Sequence, residues 1–339
     1  MTAAGAQALA SSGEAANSRA PGTAVREGWL LLRVARVSTA GGVRSLRLVS
    51  PAGDALPSFT PGSHIVLEVG GRTNAYSLTG DFLEPTAYEI SVLLIADGQG
   101  GSRWIHDELE VGEELSASPP RSAFAPVASA RHHVLVAGGI GITPILSHVR
   151  AARLYRRSFE VIYAHRPDAQ AAPLRELQAL CGSNQPELVH SRAELTATLR
   201  NRLSDQPLGS VLFVCGPRSM MEATETIATE LGWPAERIHI ERFSTAALDP
   251  GNPFTVKLAR SGRQLLIPSG VSLLEALEGA EVPVPYLCRR GVCGECRVAV
   301  TAGRPEHRDL FLTDEERAAG DSVMCCVSRA HDPLLELDL

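Results

Sequence analysis

Residues 286–296 read YLCRRGVCGEC, and Cys288, Cys293 and Cys296 set a C-x4-C-x2-C spacing inside one short loop. About thirty residues later, VMCCVS carries the adjacent pair Cys325 and Cys326. Three thiols from one loop and a fourth from elsewhere is the ligation pattern of a [2Fe–2S] cluster, whose two irons need four thiolates. The fold must therefore return a later segment to the loop. Gly291 and Gly294 suit such a loop, because residues without Cβ let backbone N–H groups approach sulfur and permit φ > 0. Zinc more often takes paired C-x2-C units.

The flanks read as a small α+β module. FTVKLA and RQLLIP alternate like two strands of a hairpin. SLLEALEGA follows as a short amphipathic helix with Ser272 as its N-cap. After the loop, CRVAVTAG reads as a further strand.

Upstream, HHVLVAGGIGITPILSHVRAARLYRR opens on a continuous apolar run, Val134 to Ala137, as a buried parallel strand does. Gly138, Gly139 and Gly141 make a turn. Thr143 is the expected N-cap, with Pro144 at the first helical position. A glycine turn opening a helix presents free N–H groups and a positive dipole end to a pyrophosphate, although this is not a G-x-G-x-x-G fingerprint. FEVIYAH, ELVH and SVLFVCG follow as strands with helical patterns between, giving a doubly wound α/β domain. SVLFVCG delivers Cys215 and Gly216 to a strand's carboxyl end, where open parallel sheets bind ligands. Before this domain, WLLLRVARV, VRSLRLVS, HIVLEV, AYSLTG and YEISVLLI are short strands punctuated by Gly and Pro, the pattern of an antiparallel β-barrel. GQGGSRWIHDEL then leads from Gly98, Gly100 and Gly101 into Ser102 and a short helix, a second phosphate cradle.

The chain has 339 residues and a net charge of -6, which argues against a general affinity for nucleic acid or anionic membrane. No apolar run reaches the roughly 18 residues that span a bilayer. Residues 1–25 are small and polar, lack the features of a signal peptide and read as a disordered tail. A cytoplasmic location is therefore expected, where clustered cysteines serve metal or redox chemistry.

Together these pieces resemble the reductases of Rieske oxygenases, the phthalate dioxygenase reductase-like family. The anchors are AYSL (75–78), GGS (100–102), AGGIGITPIL (137–146), CGP (215–217), the cysteine loop and CVSRA (326–330), in the family's order of modules. The resemblance implies an FMN-binding barrel at 26–128, an NAD(P)H domain at 129–247 and a plant-type ferredoxin (β-grasp) domain at 248–339. It implies that Tyr76 lies against the isoalloxazine, that Ser77 bonds near N5, and that Gly100, Gly101 and Ser102 hold the flavin phosphate. Gly139, Gly141, Thr143 and Pro144 form the nicotinamide-domain turn, Cys215 and Gly216 lie beside the hydride-transfer site, and Phe243 packs near the flavin. The fourth cluster ligand sits in a C-x-S context, which favours Cys326 over Cys325. Ser77, Cys215 and Phe243 are thus the residues expected at the chemistry.

This chain departs from the family at the flavin phosphate. The arginine of R-x-Y-S is Asn74, and Gln99 stands where a second arginine is often found. Arg72 or Arg103 is the expected substitute, since a phosphate needs charge-assisted partners. Nothing resembles an adenine-binding segment, so FMN is favoured over FAD. Ser191-Arg192 after ELVH resembles a 2′-phosphate site, but a helix-capping serine explains it, and NADH is preferred to NADPH. The resemblance further implies a monomer that passes electrons from NADH through FMN and the cluster to a terminal oxygenase docked at the cluster loop. Arg289 and Arg290 are candidates to steer that partner. A cluster near about -400 mV lies downhill of a Rieske centre at about -150 to +300 mV. A haem monooxygenase as acceptor, or a non-catalytic redox sensor, are the competing readings.

Overall fold

The computed structural model describes residues 28–96, 100–122, 124–166, 172–243, 250–287, 289 and 291–339. The tail 1–25, Gly98, Gln99, Cys288 and Arg290 lie outside these described residues.

The first region contains β1 (Leu30–Ala40), β2 (Val43–Val49), β3 (Ser63–Val69), β4 (Arg72–Ser77), β5 (Tyr88–Leu93), α1 (Gly101–Asp107), β6 (Glu114–Ala117) and β7 (Arg121–Ser122). The strands pair antiparallel in the order β4-β3-β6-β1-β2-β5, with β7 added to β3. Thr79 N–H, just past β4, donates to Glu89 O on β5 at 2.9 Å and draws the two ends together into a near-closed barrel. Alternate residues Leu46, Leu48, Tyr88, Ile90 and Val92 point into its core, as the two-residue period of a strand requires.

The middle region alternates strand and helix: β8 (His132–Gly138), α2 (Ile142–Leu154), β9 (Ser158–Ala164), α3 (Ala172–Cys181), β10 (Glu187–Val189), α4 (Arg192–Ser204), β11 (Ser210–Cys215), α5 (Arg218–Glu230) and β12 (Ile238–Glu241). All pairings are parallel, in the order β10-β9-β8-β11-β12. α2 and α3 cover one face through Ile145, Leu146, Val149 and Leu177. α4 and α5 cover the other through Leu195, Leu199 and Met221. The strand order reverses between β8 and β11, the crevice where such sheets bind ligands. Two expectations are corrected here. Thr143 is not an N-cap and Pro144 is not the first helical residue: a 3-10 turn at Gly139–Gly141 runs into α2 at Ile142, which puts Pro144 third in the helix, and the Thr143 hydroxyl donates back to Ile140 O at 3.0 Å.

The last region contains β13 (Phe254–Leu258), β14 (Gln264–Ile267), α6 (Leu273–Gly279), β15 (Arg297–Ala302), β16 (Pro305–Glu306), α7 (Asp314–Ala319), β17 (Ser322–Met324), β18 (Arg329–Ala330) and β19 (Leu334–Leu337). β13 pairs with β14 antiparallel and with β19 parallel, giving the mixed sheet β14-β13-β19-β15-β17. Ser272 caps α6 in a capping box with Glu275, and Leu273, Leu274 and Leu277 seat that helix on the core. This is the expected multidomain architecture of barrel, parallel α/β sheet and ferredoxin-like α+β module.

Candidate functional site

A cleft of about 340 Å³ opens between the barrel and the carboxyl ends of β8 and β11, within the size range of small-molecule sites. Asn74, Tyr76 and Ser77 supply one wall, Gly139, Gly141 and Thr143 another; Gly216 and Phe243 also line the cleft, as do Val92, Leu93 and Ile95 from the barrel. Gly141 is dictated by contact: a Cβ there would lie 2.3 Å from Cys215 O and 2.6 Å from Gly216 N. Pro144 is buried inside α2, and Cys215 sits just behind Gly216 rather than on the lining. Burial pushes the Cys215 thiol well above its ordinary range, with the Glu241 carboxyl adding to the shift, so it stays protonated and is no nucleophile.

At one end of the cleft, Gly100 adopts a left-handed conformation (φ 96°) and starts α1. A Cβ on Gly101 would meet the buried Asn74 amide. Ser102 Oγ accepts the Ile95 N–H at 3.2 Å. The expected arginine substitutes are not here. Arg72 is exposed at the start of β4, Arg103 is exposed and turned toward Ala96 O, and neither lines the cleft. Among the described residues no Lys or Arg lines it. An anionic group at this end would meet the N–H groups of Gly101 and Ser102 together with Asn74.

Two side chains that carry no sequence pattern appear beside the cleft. A second cavity, about 190 Å³, lies where the three regions meet and is lined by His64, Ser77, Glu241, Phe243, Val292 and Arg317. Desolvation, with Arg121 adding to it, lowers His64 to about 4, so this ring is neutral at pH 7. Glu241 ends β12, opposite Cys215 in register. Its Oε2 is buried with no hydrogen-bond partner among the described residues, and burial pushes its pKa from 4.5 up to about 8. The unfolded carboxyl ionises near its ordinary value while the folded one holds its proton to about 8, so the native state loses stability as pH rises through that window. Glu241→Gln removes the penalty. Its apparent melting temperature should gain on the wild type between pH 5 and pH 8, by the equivalent of up to roughly 4 kcal/mol at about 1.4 kcal/mol per unit.

The cysteine loop packs directly on the barrel. Leu287 and Cys293 bury against Val66, with Ala75 and Val292 beside them. The Thr73 hydroxyl donates to Leu287 O, and Arg121 pairs with Glu295 at 2.7 Å. Ala75 on β4 therefore lines the cleft on one side and supports the cysteine loop on the other. Cys296 and Cys326 belong to the core of the last region, and Cys326 Sγ accepts the Gly291 N–H at 3.2 Å. Cys325 is fully buried in that core, its carbonyl accepting Leu274 N–H of α6. Cys288 lies outside the described residues, and among the described ones no group of three or more His, Cys, Asp or Glu is arranged around a single ion. A binuclear cluster spreads four thiolates over two irons, and buried sulfurs with a backbone N–H aimed at one of them suit it.

A third cleft, about 530 Å³, sits at the ends of β8, β9 and β10 and includes Arg166, Ser191 and Arg192. Ser191 caps α4 in a capping box with Glu194, which accounts for the serine as a helix cap.

A flavin-sized cleft at a nucleotide-domain switch point, backed by a ferredoxin-like cysteine loop, defines a modular iron–sulfur oxidoreductase. Residues 113–238 match the family described as dimethylamine monooxygenase subunit DmmA-like, N-terminal domain. Residues 256–331 match the 2Fe-2S iron-sulfur cluster binding domain. The chain is 42% identical to the heme-dependent oxidative N-demethylase beta subunit of Ectopseudomonas mendocina, across 84% of this chain and 90% of that one. It is 36% identical to the carnitine monooxygenase reductase subunit of Escherichia coli, across 88% and 94%. Among solved structures, phthalate dioxygenase reductase, described as modular for electron transfer from pyridine nucleotides to [2Fe-2S], aligns with a TM-score of 0.73. It shares 34% identity and covers 92% of this chain and 98% of its own. The chain belongs to this family of oxygenase reductase subunits. No helix among its described residues is long and apolar enough to cross a membrane.

Proposed function

We propose that this chain is the reductase component of a Rieske-type oxygenase system, drawing electrons from NADH and delivering them through FMN and a [2Fe–2S] cluster to a separate oxygenase. The observation that carries the reading is the shared wall at Ala75, which sets the cleft and the cysteine loop back to back on β4. FMN bound in the cleft would take up a two-electron hydride and release the electrons singly to the cluster.

In this reading residues 26–128, 129–247 and 248–339 are the flavin, nucleotide and ferredoxin domains. Tyr76 and Phe243 pack the ring system, and Ser77 donates to it. Gly100, Gly101, Ser102 and Asn74 receive the phosphate. Gly139, Gly141 and Thr143 position the nicotinamide with Cys215 and Gly216, while Pro144 stiffens the start of α2. Cys288, Cys293, Cys296 and Cys326 hold the cluster.

The oxygenase docks around the cluster loop. Arg289 stands there, paired with Glu278 at 2.6 Å and stacked over Tyr286. Cluster thiolates favour a reducing compartment, so the protein works in the cytoplasm, as a monomer.

A second reading keeps the same redox chain and gives the electrons to a haem. It is supported by the relative at 42% identity, whose name is that of a heme-dependent enzyme. Purified chain, NADH and each candidate oxygenase from the neighbouring genes separate the two. Reduction of a Rieske centre seen by EPR supports the first, and reduction of ferric haem alone replaces it with the second. Failure to reduce even cytochrome c rejects both.

A further inference from the structure

Asp309 is the one carboxylate among the described residues that is buried as a whole residue, at 3% exposure. A carboxylate is costly to take out of water unless its lone pairs are satisfied. Here they are: Oδ2 accepts the N–H groups of Leu312 at 2.9 Å and Phe311 at 3.2 Å, and Oδ1 accepts the Ser328 hydroxyl at 3.2 Å. His307 Nδ1 stands 3.7 Å from Oδ1, and Arg317 donates to the Asp309 carbonyl at 2.8 Å.

What this carboxylate braces is the cysteine loop. Leu310 N–H, the next along, donates to Gly291 O at 2.8 Å. Gly291 has φ 70°, and a Cβ there would lie 3.0 Å from Asp309 Cα and 2.6 Å from the Val327 side chain. Pinned between them, Gly291 aims its N–H at Cys326 Sγ. Ser328, the hydroxyl that donates to Asp309, is two residues beyond Cys326 and also accepts Arg308 N–H at 3.1 Å. One buried anion thus ties together the cysteine loop, the 309–312 turn and the segment that brings in the fourth cysteine.

We propose that Asp309 is a positioning residue for the [2Fe–2S] cluster that also sets its potential, by holding a fixed negative charge behind Gly291 and Ser328, the residues that flank the sulfur ligands. Cluster potential depends on nearby charge and on hydrogen bonds to the sulfurs. A buried anion opposes the arrival of an electron, keeping the cluster strongly reducing toward its acceptor. The Ser328 hydroxyl dipole tempers that charge. This inference rests on the proposed cluster assignment.

The test is an EPR-monitored redox titration of holoprotein. In Asp309→Asn, which keeps shape and loses charge, the equilibrium should shift about tenfold toward reduced cluster, or about 59 mV upward for one electron. In Ser328→Ala the charge loses its donor, and the potential should move the opposite way by less. A merely structural role gives no such pair of opposite signs. Potentials equal to the wild type in both variants, or displaced in the same direction, overturn the proposal. If Asp309→Asn fails to assemble a cluster, the Ser328→Ala titration decides by itself, an unchanged potential counting against. Wild-type protein without a binuclear EPR signal would instead reject the cluster assignment, a separate outcome.

Discussion

Cys326→Ser should purify with its iron content reduced roughly tenfold, whereas Cys325→Ala should keep its cluster, because metal sites of this kind need every ligand deprotonated and in place. The two cysteines are adjacent and both buried, yet their surroundings differ. Cys326 Sγ receives the Gly291 N–H from the cysteine loop. Cys325 is sealed within the core beside α6, and burial pushes its thiol far above the ordinary range, with Cys296 adding to the shift. Held there by the backbone hydrogen bond its carbonyl accepts from Leu274 N–H of α6, Cys325 is expected to serve as packing. Trimming it to Ala costs about 1–2 kcal/mol of cavity and transfer energy and leaves the visible spectrum intact. Iron analysis and absorption spectra of the two variants check this. Equal loss from both, or loss from Cys325→Ala alone, would move the ligand one residue back.

Gly141→Ala is expected to abolish reduction by NADH while sparing reduction by dithionite. The added methyl would sit 2.3 Å from Cys215 O and 2.5 Å from its carbonyl carbon, and these are backbone atoms that cannot swing aside. Either the 3-10 turn lifts off β11 or the end of β11 moves. Overpacking of this kind costs about 1–3 kcal/mol, and it falls on the floor of the cleft where the nicotinamide ring would lie. The ferredoxin-like region shares none of these contacts, so the cluster should still give its EPR signal with a chemical reductant. Stopped-flow reduction by NADH, set against dithionite reduction, reads the two separately. Wild-type rates with NADH would show that the turn does not position the coenzyme.

Much of this molecule is legible in its residues for local reasons. The cysteine spacing, the Ser272 cap, the FTVKLA–RQLLIP hairpin and the apolar strands β8 and β11 are written in short windows. What escapes local reading depends on distant pairing. β6, β12 and β19 are four residues each; β6 and β19 become strands because each is held between two others, β1 and β3 or β13 and β15, and β12 because β11 pairs with it at the sheet's edge. Thr143 looks like a cap, but the turn ahead of it tightens into a 3-10 helix and shifts the start of α2 by two residues, from Pro144 to Ile142. Arg72 looks close enough in sequence to replace the arginine missing at Asn74, and the two-residue period puts both on one face of β4, yet Arg72 stands exposed at the strand's first position while Asn74 is buried further along. Glu241 and Asp309 belong to no pattern. Each is a carboxylate in a polar-looking segment, and only tertiary packing takes it out of water.

In the proposed function, the cleft and the cysteine loop form one electron path. Anaerobic titration of the holoprotein with NADH tests it most directly. Isoalloxazine absorbance should bleach as a rhombic EPR signal of a reduced binuclear iron centre grows in. Bleaching that leaves the cluster oxidised, or no bleaching at all, would contradict it.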